Sequence, residues 1–237
     1  MIIIIYRLMI YVIYSWRINP EFKGAWKMPR VSRKQTEMNL EEITAASARL
    51  FRQRGLDGVS VAELMAAAGL THGGFYNHFQ SKDILAAIAC TRSFDQTRGR
   101  WSARVEAADS NSAALAAIIS GYLDSSRRDD PGPDCAAATL VVDVARQPAD
   151  RPIHRAFNAG IETLTAMLAG LFAKTREDGR RQALTTFATM VGGIALARAT
   201  RGSAISDEIL EAVRGSLLAS VEPSSRAVRR RSPQTRE

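Results

Sequence analysis

Apolar residues recur at spacings of three and four along most of the chain, and the strict alternation that marks a half-buried strand is scarce. Leu40, Ile43, Ser47, Leu50 and Phe51 form the first such stripe, which predicts a helix over residues 39–54. Asn39 stands where an N-cap belongs, Glu41 and Glu42 occupy the dipole-positive first turn, and Arg52 and Arg54 precede the stop at Gly55. The next stretch is denser in signals. Ser60-Val-Ala-Glu63 reads as a capping box, in which the serine oxygen caps the Glu63 amide and the glutamate reaches back. Val61, Leu64, Met65 and Ala68 then form the inner stripe of a two-turn helix, which Gly69 ends in a left-handed conformation while Leu70 plugs the corner. Thr71 is placed to cap a third short helix, from His72 to about Phe79, and Ser81 to cap the one after it.

Beyond residue 85 the pattern lengthens. It predicts helices at about 82–107, 112–128, 135–147, 150–177, 180–201 and 206–220. Breakers mark the joins at Asp109-Ser-Asn111, Asp129-Asp-Pro-Gly-Pro133, Gln147-Pro148, Asp178-Gly179 and Gly202-Ser203. Leu115, Ile118, Ile119, Tyr122 and Leu123 make one apolar face, and Ile161, Leu164, Leu168, Leu171 and Phe172 another. From Met190 to Ala199 the sequence is apolar nearly all round, and Gly192 and Gly193 would let a second helix approach closely. The expected partner is the same helix of a second subunit, with an ordinary intrachain core helix as the alternative. The fold class is therefore all-α: an N-terminal three-helix domain with a helix-turn-helix, then a larger helical domain.

A supporting helix followed by two short helices around a tight glycine turn is the arrangement with which proteins present a reader helix to duplex DNA. The second of the pair offers His72, Asn77 and His78 as polar groups and the Tyr76 hydroxyl for a phosphate. Gly73 and Gly74 leave its backbone bare, at a cost of about 1 kcal/mol each relative to alanine, and close approach to DNA is a reason to tolerate them. Lys82 stands beside the amino end of the next helix, where amides and an ammonium together hold a phosphate. Ser60 and Phe75 complete the candidate DNA-binding set.

Composition adds little to this. The chain has 237 residues and a net charge of +8, but Arg7, Arg17, Lys23 and Lys27 in residues 1–27 and five arginines in 223–237 supply nearly all of it. The middle is close to neutral, so the case rests on the motif and not on overall charge. Two cysteines without a C-x-x-C pair argue against a disulfide framework and fit a reducing cytoplasm.

Residues 1–16, MIIIIYRLMIYVIYSW, are shorter than the roughly 20 apolar residues a membrane span needs and carry Arg7 in the middle. They lack the layout of a secretory signal. Translation from Met28 is the expectation, with 1–27 a mis-called or disordered extension; a membrane anchor is the alternative. Residues 28–36 read as a basic arm, 37–85 as the helix-turn-helix domain, 86–222 as a ligand-binding and dimerisation domain, and 223–237 as a disordered basic tail.

The ordered run from Gly69 to Leu85, GLTHGGFYNHFQSKDIL, resembles the signature of the TetR family of bacterial transcriptional regulators, and SDEILEAVRGSLLA (206–219) resembles the family near its end. The resemblance implies that Thr71, Tyr76 and Lys82 contact phosphates and that His72, Gly73, Asn77 and His78 lie near base edges. Gly74 departs from the hydroxyl residue often found there. It further implies a homodimer through the last two long helices, a palindromic operator, and repression relieved by a small-molecule effector. Phe94, Trp101, Tyr122 and Phe157 are candidates for the effector pocket, with plain core packing as the other reading. A regulator without an effector is one alternative. A thiol-responsive regulator is another, because Cys135 opens a helix, where a thiolate is favoured. No metal site, cofactor or membrane partner is expected. An enzyme is not expected either, since H-E-x-x-H, P-loop, G-x-S-x-G and dinucleotide fingerprints are all missing.

Overall fold

The computed structural model describes residues 32–172 and 176–221. The extension 1–27, residues 28–31 of the basic arm and the tail 223–237 lie outside the described residues. Among those described the chain is helical throughout: α1 Arg33–Arg54, α2 Val61–Ala67, a 3-10 turn His72–Asn77, α3 Lys82–Glu106, α4 Asn111–Tyr122, α5 Ser125–Asp129, α6 Ala136–Arg146, α7 Pro152–Leu171, α8 Arg176–Ala199 and α9 Ala204–Val221.

Helix α1 starts six residues before the expected Asn39, which lies inside it, and takes up the end of the expected arm. The residues before Asn39 belong to a separate unit, and their own contacts account for the earlier start. The Ser32 hydroxyl accepts the Gln35 amide at 3.2 Å, and Arg33 pairs with Glu37 one turn on at 3.0 Å. The buried stripe is also rotated from the expected one. Ile43, Thr44, Ser47, Ala48, Phe51 and Arg52 face inward, whereas Leu40 is 41% exposed.

Two later boundaries moved as well. The helix expected over 112–128 ends at Tyr122, because the Asp124 carboxylate caps a new short helix by accepting the Ser126 amide at 2.9 Å. The break expected at Asp178-Gly179 falls earlier, and both residues lie within α8. Gly179 is small for a packing reason: a Cβ there would lie 3.0 Å from the Ala169 carbonyl and 3.2 Å from that of Phe172.

The larger domain is built around α3 and α7, which run against each other, with α8 packed on α7 and α9 packed on α8 and α4. Glycines set both close crossings. A Cβ on Gly160 of α7 would stand 2.1 Å from the Phe94 ring of α3, and one on Gly193 of α8 would meet Val213 of α9 at 3.0 Å. Gly193 thus serves an intrachain contact, whereas Gly192 faces open space. No helix among the described residues is long and apolar enough to cross a membrane.

Polar contacts hold α1 and the turn after it to this domain. The Asp143 carboxylate on α6 accepts the Leu56 amide at 3.0 Å, beside Gly55, whose φ is +77°. Arg92 pairs with Glu41 at 2.6 Å. Arg52 does more than answer the helix dipole. Its side chain is buried, Nε donates to the Gly132 carbonyl at 2.7 Å, and Nη1 donates to the Ser93 hydroxyl. Burial, and then neighbouring Arg100, holds its guanidinium down to about 10.

Candidate nucleic-acid interface

The short helices are fixed by local chemistry. Ser60 Oγ accepts the Glu63 amide at 3.3 Å, and Glu63 Oε2 accepts the Ser60 amide at 2.8 Å, so the capping box closes in both directions. The Ser60 amide and, at 2.7 Å, the Ser60 hydroxyl both donate to Glu63 Oε2, and these two bonds hold the Glu63 carboxyl below its ordinary range. Helix α2 ends in a Schellman arrangement. Gly69 takes φ +72°, its amide donates to the Ala66 carbonyl at 3.0 Å, and the Leu70 amide donates to Met65 at 2.9 Å. Ser60→Ala is expected to cost about 1 kcal/mol of stability, read as a lower urea midpoint at unchanged m-value.

The reader is a 3-10 turn and not an α-helix. Two adjacent glycines, each a weak helix former, favour the shorter and tighter coil. Thr71 has the extended backbone of a cap residue, but its hydroxyl makes no capping bond, which corrects the expected cap. The structure thus leaves that exposed hydroxyl facing solvent. At the far end Ser81 Oγ does cap α3, accepting the Ile84 amide at 3.2 Å.

Along this turn the candidates separate into two kinds. Ser60, Thr71, His72, Gly73, Asn77 and Tyr76, the last 69% exposed, face solvent, and His78 and Lys82 are half-buried. A Cβ on Gly73 would meet nothing within 4 Å, so no contact within the chain requires glycine there. Phe75 is the exception and a correction. It is 1% exposed and cannot touch a surface ligand. Its ring packs edge-on to Tyr76 at 5.2 Å and against Phe79 at 5.7 Å, and so anchors the turn from beneath. The aromatic pair in the sequence is one anchor and one exposed ring, a division the motif alone does not reveal.

The four aromatic residues considered for an effector pocket fall into two packed groups. Phe94 meets Phe157 edge-on at 5.5 Å. Trp101 and Tyr122 are 6.2 Å apart and both contact Phe187, which the sequence reading did not single out. All are buried. Cys135 stands at the N-cap of α6 as expected but is fully buried. Burial first, then the charge of Asp134, pushes its thiol up, opposite to the direction a reactive thiolate needs. Desolvation outweighs the helix terminus, so the thiol-sensing expectation is withdrawn. Cys90 is likewise pushed up, to about 12, by burial.

Similarity to known proteins agrees with this geometry. Residues 43–87 match the family described as bacterial regulatory proteins, tetR family. Over 71 residues the chain is 37% identical to the uncharacterized HTH-type transcriptional regulator YvdT of Bacillus subtilis; the match covers 28% of this chain and 37% of that protein. The chain thus aligns with little more than a third of that relative. Solved structures extend the likeness in fold. A TetR-family regulator from Cytophaga hutchinsonii superposes with a TM-score of 0.66 at 22% identity, over 79% of this chain and 96% of the other. One from Agrobacterium tumefaciens gives 0.66 at 19% identity, over 79% and 100%. Residues 43–87 thus carry the helix-turn-helix sequence of the tetR family of bacterial regulatory proteins, and the described chain is similar in fold to solved TetR-family regulators.

Proposed function

We propose that the protein is a DNA-binding transcriptional regulator that reads a palindromic operator as a homodimer and acts as a repressor released by a small-molecule effector. The observation that carries the reading is the row Thr71, His72, Gly73, Tyr76 and Asn77, exposed on a turn held rigid by the buried Phe75 and Phe79 and by capped helices on either side. Such a row places hydroxyls for phosphates and imidazole and amide groups for base edges, with the backbone bare at Gly73. Lys82 follows at the start of α3, where the helix dipole and an ammonium favour the same phosphate.

Dimerisation is supported by the outer face of α8 and the start of α9. Leu184 is 44%, Leu196 58% and Ile205 53% exposed, and Gly192 between them is open to a partner backbone. Two readers related by a two-fold axis call for an inverted repeat. Release follows from connectivity. The reader runs into α3 through the four residues His78 to Ser81, Arg52 ties α1 to the effector domain, and Asp143 ties Leu56 to it just beyond. A ligand that shifts α3 would change reader spacing, and a coupling of about 1–3 kcal/mol would alter occupancy several-fold to a hundredfold.

Lys82→Ala is expected to weaken operator binding and to reduce the slope of log affinity against log salt by about one per half-site, measured by fluorescence anisotropy at three or more salt concentrations. An unchanged slope would remove Lys82 from the interface. A small molecule that releases the operator supports repression by occlusion; if none does, the effector part of the proposal fails.

A further inference from the structure

Arg100 and Arg104 stand one turn apart on α3, both half-buried. Arg104 lies against Gly121 at the end of α4: a Cβ there would come within 2.2 Å of its Nη2. Arg127, on α5, reaches the same residue, its Nε donating to the Gly121 carbonyl at 3.0 Å. Two guanidinium groups therefore share one glycine, with a third a turn away.

Two carboxylates lie near this charge, both on the Arg127 side: Asp124, which is exposed and accepts the Ser126 amide, and Asp134. Asp134, 1% exposed, is engaged by Arg198 at 2.5 Å and lies 3.8 Å from Arg127, and its Oδ1 accepts no hydrogen bond. Arg127 donates also to the Pro133 carbonyl at 3.2 Å, and Arg100 to the Thr97 hydroxyl at 2.9 Å. Arg104 has no hydrogen-bond acceptor and no ion-pair partner among the described residues. The carbonyl end of the α3 dipole offsets part of its charge but leaves its donors unmatched. Burial, and then repulsion by Arg127, lowers the pKa of both Arg100 and Arg104.

We propose that Arg100, Arg104 and Arg127 form a binding site for an oxyanion, the carboxylate or phosphate group of a small molecule. The proposal deepens the reading that this domain takes an effector, and rests on it for its regulatory meaning. Guanidinium forks match the two oxygens of such a group, and in a half-buried site they do so with less competition from water. Three clustered cations, one of them, Arg104, without an acceptor, are a cost to the unliganded fold that an anion relieves. The site joins the far end of α3 to α4 and α5, so its occupancy bears directly on the helix that follows the reader.

The test is thermal melting of the purified full chain at constant ionic strength, titrated separately with inorganic phosphate, with benzoate, and with benzamide as the uncharged counterpart. A saturable rise in Tm with phosphate or benzoate and none with benzamide is expected, and the stronger of the two names the head group. Arg104→Gln is expected to weaken that binding at least tenfold while melting, unliganded, no lower than the parent. Gly121→Ala keeps the charge but displaces the Arg104 head, and is expected to weaken binding as well. No saturable response to either oxyanion, an equal response in Arg104→Gln, or a lower unliganded Tm in that variant would each overturn the site. Operator affinity is measured alongside. Oxyanion binding that leaves it unchanged would remove the effector reading and keep the site, whereas release by an uncharged compound alone would do the reverse.

Discussion

Asp134→Ala is expected to destabilise the protein by about 3–5 kcal/mol, the usual cost of removing one partner from a buried ion pair. Asp134 is 1% exposed and faces Arg198 at 2.5 Å and Arg127 at 3.8 Å. Arg198 in turn donates to the Ala138 and Arg127 carbonyls at 3.1 and 2.9 Å, so this one carboxylate joins α5, α6 and α8. Without it, two mostly buried guanidinium groups lose their counter-charge in a region already rich in arginine. Asp134→Asn keeps the shape and loses the charge, and is expected to recover only a minor part of the loss. Urea unfolding at neutral pH measures both variants. A cost under about 1 kcal/mol would mean that the pair is solvated and that the account of this region is wrong.

Phe75→Ala is expected to cost about 3–5 kcal/mol, the range for a buried aromatic truncated to alanine, and to abolish operator binding at temperatures where the larger domain stays folded. The ring is 1% exposed and is the main anchor beneath the reader turn. Its neighbour gives the contrast. Tyr76 is 69% exposed, so Tyr76→Ala is expected to stay within about 0.5 kcal/mol of the parent in stability and still to lose operator affinity. Circular dichroism melts and anisotropy on the same preparations separate the two effects. A stable Phe75→Ala protein that binds normally would contradict the assigned packing.

The helix-turn-helix was legible in the sequence because its signals are local. The Ser60–Glu63 box, the Gly69 stop and the Ser81 cap each depend on residues within a few positions, and each forms as expected. Thr71 shows the limit of this reasoning: its backbone adopts the cap conformation, yet the glycine-driven 3-10 turn leaves the hydroxyl unused. Boundaries set by tertiary contact were not legible. Gly179 has the composition of a breaker but is small because α8 crosses the end of α7. Arg52 has the composition of a surface cation but bonds Gly132, eighty residues away. Cys135 failed for a related reason, since position at a helix end can be read from sequence and desolvation cannot. Of the DNA-facing candidates, only Phe75 was assigned to the wrong side of the turn, because two adjacent aromatics give no local sign of which one is buried.

The central claim is sequence-specific DNA reading by the turn from Thr71 to Asn77. Its most direct test is selection of bound fragments from the source genome by purified protein, at two salt concentrations, beside a Tyr76→Ala, Lys82→Ala variant. The account predicts enrichment of an inverted repeat by the parent and loss of that enrichment in the variant. Binding without sequence preference, or equal enrichment by the variant, would contradict it.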